Sequence, residues 1–62
     1  MLIAIDYDLT YTRDPELWDE FIDMALLRNH NVICVTMRFQ EEGKDVINNI
    51  GKRCEIIFNR SK

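Results

Sequence analysis

A chain of 62 residues makes one small domain, of a size at which folding buries only about 60% of the surface the unfolded chain exposes. Apolar residues at 47% and charged residues at 31% describe a soluble globular chain and exclude a disordered one. Eight basic against eleven acidic residues, a net charge of −3, leave no basic block to hold duplex nucleic acid.

The run Met1-Leu2-Ile3-Ala4-Ile5 is too short for an export signal or a membrane span, which predicts a cytoplasmic protein without membrane contact. Leu2 to Ile5 reads as a strand buried on both faces. The polar loop Asp6-Tyr7-Asp8-Leu9-Thr10 follows it. Asp14-Pro15 then supplies an N-cap and a proline at the first helical position, where its missing N–H costs nothing. A helix over 15–29 follows, with Leu17, Trp18, Phe21, Ile22, Ala25 and Leu26 on one apolar stripe and Asn29-His30-Asn31 closing it.

Val32 to Val35 is a second strand that ends in Thr36 and Arg38. Residues 41–50 predict a second helix with Gly51 as its C-cap, and residues 55–58 a third strand. Cys34 and Cys54 lie in apolar runs without metal or redox spacing and read as reduced core residues. His30 reads as a helix C-terminal residue favoured by the dipole.

The order βαβαβ predicts a minimal three-stranded parallel α/β sheet of Rossmann-like type, residues 1–62 forming a single domain. With the strands side by side in chain order, both right-handed crossovers carry their helices to the same face. The other face stays bare although its residues are apolar, which marks it as an interaction surface.

Asp6 and Asp8 stand at the carboxyl end of the first strand, where open parallel sheets place their ligands. Two carboxylates there suit phosphoryl transfer, which needs a hard cation, a nucleophile and an acid/base group.

The segment Ile3 to Thr10, an apolar strand followed by DxDxT, resembles motif one of the haloacid dehalogenase (HAD) superfamily. Val32 to Thr36, an apolar strand followed by threonine, resembles motif two. The nearest likeness is to the small capless members of phages and bacteria, in which Thr-x-Arg follows the second strand. The resemblance implies that Asp6 is the nucleophile and forms an aspartyl-phosphate, that Asp8 is the general acid/base, and that both hold Mg2+. It implies substrate-binding roles for Thr10, Thr36, Arg38 and Lys62, the last as a motif-three lysine at the chain end. The chain departs from the pattern at Leu9, where most members have glycine, and it carries no motif-four acidic pair after Lys62. It therefore matches the N-terminal half of the family core, a truncated HAD-like domain.

In that family's sheet the first strand is central, so here it would be an open edge that invites pairing. The expectation is a homo-oligomer formed through that edge or through the bare sheet face. The expected function is a Mg2+-dependent phosphohydrolase core acting on a small phosphorylated substrate. The alternative is a non-catalytic dimeric binding or inhibitor protein that uses the same fold to capture a protein partner or a phosphorylated ligand.

Overall fold

The computed structural model of the chain describes residues 1–59, so Lys62 lies outside the described residues. The elements are β1 (Leu2–Asp6), α1 (Pro15–Leu27), β2 (Asn31–Val35), α2 (Lys44–Asn48) and β3 (Glu55–Ile57). The three strands form one parallel sheet in the order β1-β2-β3. Its register places Ala4 beside Ile33 and Ile33 beside Glu55. This is the expected α/β architecture.

Local chemistry sets α1. The Asp14 carboxylate accepts the Leu17 N–H at 3.2 Å and Pro15 occupies the first turn. At the far end Asn29 takes a left-handed φ of 67°, and the His30 N–H closes on the Ala25 carbonyl at 2.9 Å. The helix thus stops two residues before the expected position 29. The His30 Nδ1 lies 3.2 Å from the Met1 amine.

The second crossover corrects the sequence reading. Instead of one helix over 41–50 it contains a 3-10 turn at Gln40–Glu42, the short α2, and a second 3-10 turn at Ile50–Lys52. Gly43 is the break. It is buried against the Phe58 ring, and a Cβ there would collide with that ring. Gly51, expected to cap the helix, lies within the second 3-10 turn, and Asn49 is the C-cap of α2.

One face of the sheet holds the core. Ile5, Val32 and Cys34 pack with Ile22 and Ala25 of α1, Val46 of α2 and Ile50, while Ile3 and Ile56 pack at its margin. Among the described residues the opposite face carries no helix, and Leu2, Val35 and Ile57 are exposed on it. The strands are therefore covered on one face only, as the crossover geometry requires.

The single stripe expected on α1 splits in two. Ile22 and Ala25 are buried and Trp18 is half-buried, whereas Leu17, Phe21 and Leu26 are exposed. Arg53 joins the two crossovers, its guanidinium lying 3.2 Å from Asp23 and 3.7 Å from Asp19. Cys34 and Cys54 are free thiols, the first buried and the second half-buried. Among the described residues no helix is long and apolar enough to cross a membrane.

Candidate active site

The alternation of β1 sets the polarity of the loop that follows it. Ile3, Ile5 and Tyr7 lie on the side of the helices, so Asp6 points the other way and is exposed, and Asp8, in the turn after the strand, is exposed as well. Tyr7 and Tyr11 are both buried and stack with ring centroids 5.7 Å apart. The Tyr7 carbonyl accepts the Thr12 N–H at 3.1 Å and the Thr10 N–H at 3.4 Å, which folds the chain back over the strand end.

Leu9 is the pivot of this turn. Its φ is 65°, in the left-handed region that glycine occupies without cost. Its N–H is held by the Thr12 hydroxyl at 3.1 Å. Leucine here thus holds a turn conformation that usually falls to glycine. Thr10 is thereby returned to the strand end, where its hydroxyl donates to Asp6 Oδ2 at 3.4 Å.

The loop after β2 supplies the second half of the site. Thr36 is buried, its N–H donates to the Ile57 carbonyl at 3.1 Å, and its Oγ1 accepts the Arg38 N–H at 3.2 Å. The expected phosphate-binding hydroxyl therefore already serves to position Arg38. The Arg38 guanidinium grips Asp8 bidentately, Nη2 to Oδ1 at 2.8 Å and Nε to Oδ2 at 3.1 Å. The same guanidinium lies over the Tyr7 ring at 5.3 Å and donates from Nη1 to the Glu42 carbonyl at 3.4 Å. The hydrogen bond to Asp8 raises the Arg38 pKa above its ordinary value, so the guanidinium stays charged at any working pH.

The structure thus brings Asp6 together with Thr10, and Asp8 with Arg38, at the carboxyl edge of the sheet. Thr36 stands behind Arg38 as its support. Cys34 lies beneath the same edge, but burial raises its thiol pKa to about 12, so it is no nucleophile. Tyr7 and Tyr11 are members of the site that the motif reading missed. The signal was present, because Tyr7 continues the inward positions Ile3 and Ile5 and so belongs to the buried side of the strand end, where Arg38 lies over its ring.

Among the described residues no three His, Cys, Asp or Glu side chains are grouped to hold a metal ion. The donors present are the carboxylates of Asp6 and Asp8, the latter shared with Arg38. Two carboxylates, one with both oxygens on Arg38, do not make an all-protein cage, and any hard cation held by them would keep most of its waters. Comparison with protein-family models, curated proteins and solved structures finds no match to this chain, so the reading of the site rests on its own residues.

Proposed function

We propose that the chain is a HAD-like phosphohydrolase core that binds a small phosphorylated substrate at the carboxyl edge of the sheet and works in the cytoplasm as a homo-oligomer. The observation that carries this reading is the meeting of Arg38 with Asp8, thirty residues apart, over the floor of Tyr7. A guanidinium held in a fork at the strand ends that also carry two exposed carboxylates supports this reading, because that fork matches the oxygens of a phosphate.

A phosphate dianion competes with Asp8 for that fork, and its arrival frees the Asp8 oxygens. Asp6 attacks phosphorus in line and forms the aspartyl-phosphate. Asp8 gives a proton to the departing oxygen and then takes one from the water that hydrolyses the acyl phosphate. Thr10 orients the Asp6 carboxylate through its hydroxyl. Mg2+ at Asp6 and Asp8 would neutralise phosphate charge.

A second reading is favoured by the size of the donor set. With two carboxylates, one of them in an ion pair, the site can capture a phosphorylated ligand without turning it over. A Mg2+-dependent assay with an aryl phosphate, comparing wild type with Asp6→Asn, separates the two. The enzyme reading expects a loss of about a hundredfold or more on removing the nucleophile; equal rates in both proteins eliminate it. Phosphate titration followed by NMR, with Arg38→Ala as the control, then decides whether binding alone remains.

A further inference from the structure

The edge of β1 and the flank of α1 beside it form one apolar panel. The Asn31 N–H bonds to the Met1 carbonyl at 2.9 Å. In the alternating parallel ladder Ile3 and Ile5 therefore turn their main-chain groups toward β2, and Leu2, Ala4 and Asp6 turn theirs outward. Beside this free edge runs an open groove of about 580 Å³ lined by β1, Thr10, Leu17, Trp18 and Phe21. A second hollow continues it toward Met24, Arg28 and His30, and Phe21 lines both. Leu17, Phe21 and Met24 are 54%, 37% and 54% exposed, although all three lie on the side of the helix next to the sheet edge.

We infer that a second copy of this chain covers the panel, its β1 running antiparallel to the first across a two-fold axis at Ala4. Three features of the panel are symmetric in the way such an axis demands. Leu2 and Asp6 stand two residues either side of Ala4 and offer the same outward main-chain groups, so each bonds the other's counterpart. Phe21 lies at the junction of the two hollows, level with the middle of β1, so the two Phe21 side chains meet near the axis. Asp14 and Arg28, the N-cap and C-cap of α1, stand seven residues either side of Phe21, so antiparallel helices bring the acidic cap of each toward the basic cap of the other.

The sheet then continues through six strands with both α1 helices on the same face. A strand spacing of about 4.8 Å between the two β1 edges brings those helices near the roughly 10 Å at which helices pack. The bare sheet face is a poorer seat for a second copy, because Asp6, Asn31 and Glu55 are exposed among its apolar residues. A panel about 20 Å long and two layers deep lies at the small end of specific interfaces, so the association is to be sought across the micromolar range. The edge pairing would also fix the Asp6 backbone, but the inference does not depend on catalysis.

Sedimentation across the micromolar range tests it, with circular dichroism confirming the fold of each variant. Wild type is expected to pass from one chain mass to two as concentration rises. Phe21→Glu and Arg28→Glu are expected to raise the dissociation constant about tenfold or more. Ala4→Pro removes only an outward N–H, as edge strands allow, and should do the same. If Ala4→Pro fails to fold, Phe21→Glu decides. A wild type that stays monomeric to about 1 mM overturns the inference, and so does a dimer that survives Phe21→Glu or one that is broken instead by Val35→Lys on the bare face.

Discussion

The two crossovers of this fold join equivalent strands in unequal ways. From β1 to β2 the chain builds one continuous helix, capped by Asp14 and Pro15 and anchored by the stacked Tyr7 and Tyr11. From β2 to β3 it builds three short turns whose shape depends on a distant side chain, the Phe58 ring against Gly43. The first crossover carries its instructions within its own sequence, whereas the second receives part of them from Phe58, the residue after β3. The candidate site is made where the two entry loops meet, so its carboxylates come from the locally determined half and its guanidinium from the dependent one.

The largest effect that would sharpen this contrast is alkaline. The Tyr11 hydroxyl donates to Asp19 Oδ1 at 2.6 Å, and burial first, then that hydrogen bond, raise its pKa from the ordinary 10.0 to about 12. The folded state therefore holds a proton that the unfolded chain releases, and the stability this confers is complete below pH 10 and lost as pH rises through 10 to 12. At about 1.4 kcal/mol per pH unit for one proton, the loss approaches 2 to 3 kcal/mol by pH 12. Buried Cys34 adds to the decline from pH 9 upward, since its thiol is raised from 9.0 to about 12. Tyr11→Phe isolates the tyrosine share: less stable than wild type near neutrality by about 1 kcal/mol, it should close that gap above pH 10. Denaturant titrations at pH 7, 10 and 11.5 measure this, and a gap that stays constant with pH removes Tyr11 as the anchor.

A smaller effect would break the contrast if absent. Gly43→Ala drives a methyl into the Phe58 ring, with the Gln40 carbonyl 3.2 Å away on its other side. Overpacking of this kind costs about 1 to 3 kcal/mol, partly offset by the lower entropy of the unfolded alanine chain. Combining it with Phe58→Leu should recover part of the loss, a coupling of about 1 kcal/mol in a double-mutant cycle. Amide exchange should quicken over residues 44–52 while α1 keeps its protection. Equal quickening in both crossovers would mean that the second is no more dependent than the first.

The same division explains what the sequence could tell. The start of α1 was legible because Asp14 and Pro15 act within one turn, and the three strands were legible because apolar runs ended at polar loops. The break at Gly43 was not, since its cause is a ring fifteen residues further on. Within the site, Asp6, Asp8, Thr36 and Arg38 were readable as strand-end residues. The bidentate grip of Arg38 on Asp8 was not, because it depends on β1 and β2 lying in register side by side. The exposed flank of α1 was hidden differently: a helical stripe of six apolar residues does not reveal which part meets the core until the strand beneath is known to be an edge.

The smallest predicted effect has the opposite sign and returns to the loop itself. Leu9 is 75% exposed, so its side chain contributes little burial, yet its backbone sits at a φ of 65°. A non-glycine residue there is strained by about 1 kcal/mol or slightly more, and glycine removes that strain while giving back part of the gain as extra freedom in the unfolded chain. Leu9→Gly is therefore expected to stabilise by a few tenths to about 1 kcal/mol, which for a domain of this size is a rise of a few degrees in Tm. Leu9→Asn should fall between the two, Leu9→Ala should change little, and Leu9→Val should be the worst, because branching at Cβ suits the left-handed region least. Thermal melts of the four variants give the order, and a glycine variant no more stable than alanine would show that the turn is held by something other than its backbone. The order also bears on the site. Leu9 stands between Asp8 and Thr10, so a residue that favours the left-handed turn should keep Asp8 against Arg38 and Thr10 against Asp6. Valine should pull both pairs apart and weaken phosphate binding without touching a single phosphate ligand.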